Sequence, residues 1–204
     1  EILARRGVES QQELELKLKY LLAPSMKGLP EAIQLIDAAI DAGQKIVIVG
    51  DYDADGATST ALMLLALRDM GADVNYLVPD RFKYGYGLTP AIADLAFASF
   101  TPDLLITVDN GISSHDGVKQ AQDHGMQVII TDHHLTTKPT PAAEAVVNPN
   151  QLGCDFPSKA LAGVGVAFYV LANLSSQRKK QGKPAANLTQ YLDLVALGTY
   201  ADVA

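Results

Sequence analysis

Five short apolar runs, spaced along most of the chain, constrain its fold more than any other feature. They are IVIV at 46–49, VNYLV at 74–78, LLITV at 104–108, VIIT at 128–131 and AVVN at 145–148. Runs of this length predict buried β-strands. Longer segments of helical length and composition lie between them, at 57–71, 90–100 and 114–125. This alternation predicts an α/β fold with a parallel sheet covered by helices on both faces.

The two ends of the chain depart from this alternation. Apolar residues recur at helical spacing near the N-terminus, at Leu14, Leu16, Leu18, Leu21, Leu22, Ile33, Leu35, Ile36 and Ile40. They predict an amphipathic helical extension over residues 1–43, which leaves 44–204 as the main domain. The polar, basic stretch 175–187 predicts a surface loop. Residues 188–204 predict a helix that runs into Asp202.

Composition narrows the class of protein. The 204 residues are enough for one sizeable domain, and 48% of them are hydrophobic. No apolar run approaches the roughly 20 residues that a membrane-spanning helix needs, so we expect no membrane partner. The single cysteine, Cys154, excludes an internal disulfide and fits a cytoplasmic location. The net charge of −7 argues against binding nucleic acid by bulk electrostatics, unless the acids hold divalent cations.

Acidic and imidazole side chains directly follow three of the predicted strands. Asp51, Asp53 and Asp55 follow the first strand, Asp109 follows the third, and Asp132, His133 and His134 follow the fourth. The carboxyl ends of parallel strands meet at one edge of the sheet, so we expect these side chains to lie close together. Three carboxylates within five residues repel one another unless a cation lies among them.

The types of ligand indicate which cation this is. Carboxylate oxygens with one or two imidazoles suit Mn²⁺ or Mg²⁺ better than Zn²⁺, which favours Cys or several His. Four or more carboxylates with His can hold two ions about 4 Å apart. Such a pair activates a water molecule and neutralises charge on a phosphoryl group. The sequence therefore predicts a two-metal site that acts on a phosphate ester.

Other interpretations of these acids exist. DYDADG at 51–56 matches the first half of a calcium loop, but Leu62 occupies the twelfth position, where a bidentate Glu is required. A dinucleotide site is disfavoured because no G-x-G-x-x-G follows the first strand. Any single acid also suits a helix N-cap or a turn, and for Asp53 this alternative stays open.

Four motifs in this order, DYDADG, VDNG, DHH and GTYADV, resemble those of the DHH phosphoesterase superfamily. Longer segments, among them GDYDADGATSTAL, RFKYGYGL, VDNGISSH, NPN and FPSKALAGVGVAFY, resemble the bacterial branch that degrades single-stranded DNA. The resemblance implies a 5′-to-3′ exonuclease that uses Mn²⁺ or Mg²⁺ in DNA recombination and repair. It also implies single-stranded DNA as the substrate and a single-strand-binding protein as a partner.

The resemblance also implies roles for individual residues. The metal ligands that it implies are Asp53, Asp55, Asp109, His133 and Asp202. Asp109 bridges the two ions, and His134 faces the substrate phosphate, which makes both of them catalytic. Asp51 and Asp132 support the site from outside the ligand set. Asn110 contacts the substrate.

Two segments leave alternatives open. PDRFKYGYGL at 79–88 mixes Arg81 and Lys83 with aromatic residues. This mixture suits the bases and phosphates of a single strand, with Arg81 as the substrate contact, but it equally suits a turn whose aromatics pack inward. AGVGVAF at 162–168 suits either backbone N–H groups near a phosphate at a helix start or close helix packing on small residues.

Superfamily members continue into a second, DHHA1-type lobe, and the DNA-degrading branch adds an OB-fold. Neither follows in this sequence, so we expect the catalytic first lobe of a larger protein. Two other functions stay open for the same fold: a phosphodiesterase for short oligonucleotides or cyclic dinucleotides, and an inactive scaffold. Retention of every motif acid argues against the scaffold.

Overall fold

A parallel, five-stranded sheet forms the centre of the computed structural model, which describes Arg5 and residues 18–204. Its strands are β1 (Lys45–Gly50), β2 (Asp73–Leu77), β3 (Leu104–Val108), β4 (Gln127–Thr131) and β5 (Ala145–Val147). They lie in the order β2-β1-β3-β4-β5, and each neighbouring pair is parallel. All the predicted strands are present, with ends that differ by at most one residue, and the predicted α/β fold is confirmed.

Helices precede, connect and follow these strands, and they pack on both faces of the sheet. They are α1 (Leu29–Asp41), α2 (Ala54–Asp69), α3 (Arg81–Tyr84), α4 (Pro90–Phe100), α5 (His115–Asp123), α6 (Gly163–Lys180) and α7 (Leu192–Ala201). Single 3₁₀ turns lie at Leu18–Tyr20 and Leu188–Tyr191. Helix α4 has the predicted bounds, whereas α2 begins three residues earlier than the prediction. Within the described part of the chain, no helix is both long and apolar enough to cross a membrane.

The strands are buried on both faces, which explains their continuous apolar runs. Along β1, Ile46 and Ile48 belong to the core that includes residues of α1, α2 and α6. Val47 and Val49 belong to the opposite core, with residues of α4 and α5. Successive residues of a strand point to opposite faces, so one apolar run contributes to both cores.

The surface loop predicted at 175–187 is wrong for its first six residues. Residues 175–180 form the last turns of α6, and 181–187 lie outside a helix. The polar stretch is helical because Arg178 is 2% exposed and its guanidinium pairs with Asp37 and Asp41 of α1. This polar stretch, predicted to be a solvated loop, therefore contributes to an ion-pair network that links α6 to α1.

Part of the predicted helical extension, including Leu14 and Leu16, lies outside the described residues. Within the described part, a 3₁₀ turn at Leu18–Tyr20 is followed by non-helical residues 21–28. Helix α1 comes next and has the predicted amphipathic character. It buries three of the predicted apolar residues, Ile33, Ile36 and Ile40.

The strand order determines where a ligand can approach. The chain leaves β1 toward β2 on one side and later enters β3 on the other, so a crevice lies between the carboxyl ends of β1 and β3. Asp51 directly follows β1, Asp109 directly follows β3 and Asp132 directly follows β4. The predicted site residues therefore lie along this crevice.

Candidate metal centre

The acids after β1 have different environments, because the chain turns there into α2. Asp53 is the N-cap of α2, and its Oδ1 accepts a hydrogen bond of 2.8 Å from the Gly56 N–H. Asp55 lies in the first turn of α2 and is 3% exposed. Its carboxylate accepts hydrogen bonds of 2.6 and 2.8 Å from the Gly163 and Val164 N–H groups. Burial outweighs these bonds and raises the pKa of Asp55.

Asp109 has a left-handed backbone directly after β3. Its φ of +59° costs about 1–2 kcal/mol in most residues other than glycine. The side chain is almost fully buried, and burial raises the pKa of the Asp109 carboxyl to about 7 against the opposing effect of His133. Asp109 Oδ1 and His133 Nε2 lie 3.1 Å apart, yet neither atom has an aligned hydrogen-bond partner among the described residues. Two buried ligand atoms in this arrangement fit coordination to a shared cation.

His133 lies at the centre of the cluster. Its Nε2 is 3.8 Å from Asp55 Oδ2, and its Nδ1 is 3.8 Å from Asp202 Oδ2. Asp202 is the C-cap of α7 and remains partly exposed. Burial of the ring disfavours the imidazolium, but Asp109 outweighs burial, so the pKa of His133 is raised. The ring thus faces carboxylates from three separate parts of the chain.

Two overlapping groups of side chains have ligand atoms within 4.8 Å of one another. They are Asp55 with His133 and Asp202, and Asp109 with His133 and His134. Carboxylate oxygens with imidazole nitrogens fit a divalent cation such as Mn²⁺. Four of the five predicted ligands therefore come together. Asp53 belongs to neither group of described side chains, and its ligand role stays a prediction.

Asp132 holds the ring of His134. Its Oδ1 lies 2.7 Å from His134 Nδ1, and its Oδ2 accepts a hydrogen bond of 2.8 Å from the Ile112 N–H. The bond to Asp132 raises the pKa of His134 to about 9, which favours the charged imidazolium when no cation is bound. On the other side, His134 Nε2 lies 3.3 Å from the Tyr86 hydroxyl. The ring is therefore held at both nitrogens.

Arg81, the predicted substrate contact, is held by two neighbours from the acidic loop. One guanidinium nitrogen lies 3.0 and 3.1 Å from the two carboxylate oxygens of Asp51. The guanidinium carbon lies 3.8 Å from the centre of the Tyr52 ring. On the same short helix, Phe82 is 92% exposed, whereas Tyr84 packs against the α4 and α5 side. Asp51 thus supports Arg81, and the aromatics of this segment divide between the two predicted alternatives.

Asn110 is buried between the ends of β1 and β3. Its Nδ2 donates hydrogen bonds to the carbonyls of Val49, at 3.2 Å, and Val108, at 2.9 Å. Its buried Oδ1 has no partner within residues 18–204. The amide nitrogen is therefore committed to the sheet, and a substrate contact through Asn110 stays a prediction.

Two asparagines that the sequence did not assign to the site hold its histidines by their backbone. Asn148 Nδ2 donates to the His134 carbonyl at 3.0 Å, and Asn150 Nδ2 donates to the His133 carbonyl at 2.5 Å. Both belong to the NPN segment, which directly follows β5. The strand-end rule that predicted the acids would have found Asn150, which follows the predicted fifth strand, but not Asn148, because that residue was counted in the strand.

The AGVGVAF segment forms the start of α6, for which the sequence left two alternatives. The first two N–H groups of the helix, from Gly163 and Val164, donate to Asp55. These donors are already engaged by a carboxylate, which disfavours their use for a phosphate. Close packing on small residues agrees with the buried first turn of α6.

An α/β fold with acids and imidazoles at the carboxyl edge of its parallel sheet defines a recognisable class of protein. Residues 45–199 match the DHH family, N-terminal domain, and the chain therefore belongs to the DHH family. The resemblance carried by the four motifs is thereby confirmed.

Comparison with individual proteins is more specific than the family match. The single-stranded-DNA-specific exonuclease RecJ of Escherichia coli is 51% identical over 98% of this chain, which spans 36% of that protein's length. A crystal structure of exonuclease RecJ bound to manganese gives a TM-score of 0.77 at 38% identity, covering 90% of this chain and 46% of that one. RecJ in complex with Mn²⁺ from Thermus thermophilus gives a TM-score of 0.80 at 35% identity, covering 98% and 28%.

Proposed function

We propose that residues 44–204 are the catalytic domain of a 5′-to-3′ exonuclease that hydrolyses single-stranded DNA in recombination and repair. The name of the Escherichia coli relative and the manganese complexes of the two structural relatives support this function. The observation that carries the proposal is the buried contact between Asp109 Oδ1 and His133 Nε2. These atoms lack aligned hydrogen bonds to described residues and fit a divalent cation.

The proposed cofactor is a pair of Mn²⁺ or Mg²⁺ ions. Asp55, Asp109, His133 and Asp202 would hold them, with Asp53 added from the predicted set. When bound, such ions act as Lewis acids on the phosphoryl group and lower the pKa of a water molecule. The chain itself supplies a negative and largely dry site, because Asp55 and Asp109 are buried and solvent screens their charges little.

His134 is the proposed contact to the scissile phosphate. Asp132 keeps its ring charged and oriented, so Nε2 is a donor. We propose that Nε2 donates to a non-bridging phosphate oxygen in place of the Tyr86 hydroxyl. A preorganised donor at that oxygen stabilises the negative charge that develops as the phosphodiester bond breaks.

Arg81 and Phe82 are the proposed contacts to the rest of the strand. The Arg81 guanidinium is 34% exposed and is already oriented by Asp51, so little side-chain entropy is lost when it meets a phosphate. The neighbouring ring of Phe82 is open to solvent and suits stacking with a base. Bases of a duplex are already paired and stacked, so such a contact favours a single strand.

The resemblance also leads us to propose a cytoplasmic location and a single-strand-binding protein as partner. The location is tested by determining which cell fraction of the host contains the full-length protein. The partnership is tested by purifying the protein from that fraction and probing for the partner after nuclease treatment. Loss of the partner when DNA is removed would show that DNA alone connects the two.

The function is tested with full-length protein and 5′-labelled single strands, duplexes and dinucleotides, with and without Mn²⁺. Mononucleotide release from the 5′ end of single strands, only with metal, supports the exonuclease. Cleavage confined to dinucleotides supports the small-substrate phosphodiesterase instead, and no hydrolysis under any condition supports the scaffold. Asp202→Asn should be inactive, whereas Asp193→Asn, which alters an exposed acid on the same helix, should be active.

A further inference from the structure

Two glycines lie directly against the carboxylates of the candidate metal centre. A Cβ atom on Gly163, the first residue of α6, would lie 2.5 Å from Asp109 Oδ1 and 2.8 Å from both its Cβ and Cγ. A Cβ atom on Gly198 of α7 would overlap Thr58 Oγ1 and lie 2.8 Å from Val164 Cγ1 and 3.0 Å from Asp55 Oδ1. Ordinary contacts between such atoms are about 3.5–4.0 Å, so neither position has room for a side chain.

We propose that Gly163 and Gly198 are positioning residues for the metal centre, because their missing side chains let α6 and α7 approach close enough to fix the ligands. This inference rests on the proposed binding of divalent cations. It concerns the geometry of the ligands and assigns neither glycine a contact to metal or substrate.

Gly163 connects two carboxylates that lie beyond the ends of different strands, Asp55 after β1 and Asp109 after β3. Its N–H donates a hydrogen bond of 2.6 Å to Asp55, while its Cα faces the side chain of Asp109. One backbone position thereby sets the separation of the two acids. Asp109 Oδ1 is buried without an aligned hydrogen bond to any described residue, so its position depends on packing against this glycine.

Asp109 has little freedom to move away from an added side chain. Its backbone is in the left-handed region, and its N–H donates a hydrogen bond of 3.0 Å to the Thr131 carbonyl. A methyl group on Gly163 would therefore displace the carboxylate, or the start of α6, by about 1 Å to reach normal contact distance. Metal–ligand distances tolerate about 0.2 Å, so the displacement is enough to weaken the site.

Gly198 acts in the same way on the remaining ligand. It lets α7 lie against Thr58 of α2 and Val164 of α6, and α7 carries Asp202 at its C-terminal end. A side chain at Gly198 would push α7 outward, and Asp202 Oδ2 is already 3.8 Å from His133 Nδ1. The two glycines therefore both lie against Asp55, and each also positions a second ligand, Asp109 for Gly163 and Asp202 for Gly198.

The test is Mn²⁺ binding to full-length Gly163→Ala and Gly198→Ala proteins without DNA, measured by electron paramagnetic resonance titration. The matched control is Gly165→Ala on the same helix, where an added Cβ would lie equally close to a neighbour, 2.5 Å from Cδ1 and 2.8 Å from Cγ of Leu161, but this neighbour is a flexible side chain and not a proposed ligand. We expect Mn²⁺ affinity about 10- to 100-fold lower in both test variants, a typical loss when ligand support is removed. The control should bind as the wild type does. Raised Mn²⁺ should restore kcat in the test variants, with KM for DNA unchanged.

The possible results of this experiment distinguish failure of the positioning role from failure of the proposed function. Wild-type affinity in Gly163→Ala and Gly198→Ala overturns the positioning role, as does an equal loss in Gly165→Ala. A wild-type protein that does not bind Mn²⁺ overturns the proposed function and this inference with it. Circular dichroism and unfolding midpoints of the metal-free proteins separate loss of fold from loss of metal. Because the two glycines lie on different helices, a folding failure in one variant leaves the other to decide.

Discussion

Replacing Asp109 with Asn is expected to stabilise the metal-free protein and to weaken its binding of Mn²⁺. Without a cation, the Asp109 carboxylate is an almost fully buried charge beside Asp55. Asn has nearly the same shape and, like Asp, tolerates the left-handed φ of +59°. The substitution therefore removes the buried charge with little change to the backbone.

The pKa of Asp109 gives the size of the effect. Its folded-state pKa of about 7 lies above the ordinary 3.8, so the fold is destabilised as pH rises above about 4, and the cost is complete above pH 7. A pKa change of this size corresponds to about 4 kcal/mol. Loss of the contact to His133 offsets part of this, so we expect a gain of about 2–4 kcal/mol in unfolding free energy at pH 8. At pH 5 the gain should be less than half as large.

The measurement is urea unfolding of wild type and Asp109→Asn in EDTA at pH 8 and pH 5. Mn²⁺ at 100 times the wild-type dissociation constant should then add about 2.7 kcal/mol per site to the wild type, and less to the variant, which keeps only Asp55, His133 and Asp202. A variant less stable than wild type at pH 8 in EDTA would refute the reasoning. A gain equal at both pH values would also refute it, because the gain would then come from the backbone preference of Asn.

Three further predictions concern other parts of the molecule. Asn150→Ala should lower kcat about 10-fold with KM for DNA unchanged, as steady-state kinetics would measure, because the His133 carbonyl loses its hydrogen bond. Phe82→Ala should raise KM for single strands about 10-fold, and anisotropy of labelled DNA should show the same loss, since a stacked base contributes about 1–3 kcal/mol. Asp37→Ala should lower the unfolding free energy by about 3 kcal/mol in urea titrations, because the buried Arg178 loses a partner. An unchanged kcat in Asn150→Ala, an unchanged KM in Phe82→Ala or an unchanged unfolding free energy in Asp37→Ala would contradict the corresponding prediction.

The sheet was predictable because its strands are buried on both faces and therefore appear as uninterrupted apolar runs. LLITV, for example, has the bounds of β3 without adjustment. The second half of α6 was not predictable in this way. The buried Arg178 pairs with carboxylates on α1 that lie about 140 residues earlier in the chain. A local sequence pattern carries no information on partners so far away.

The sequence predicted which strand ends carry the site residues, but not how residues at the same strand end differ. The strand-end rule brought Asp109 and His133 together correctly, because both follow neighbouring parallel strands. It did not separate Asp53 from Asp55. They are two residues apart, and what distinguishes them is a tertiary contact: Asp55 is held by N–H groups at the start of α6, whereas Asp53 caps its own helix.

The position of Asp202 makes it the last proposed ligand of the candidate centre to be synthesised. Asp55, Asp109 and His133 emerge from the ribosome well before α7, which carries Asp202 at its end. A growing chain can complete the sheet and still lack one side of the ligand cluster until α7 packs against α2 and α6. For a chain proposed to degrade DNA, a late final ligand means that unfinished polypeptides cannot form the complete metal site.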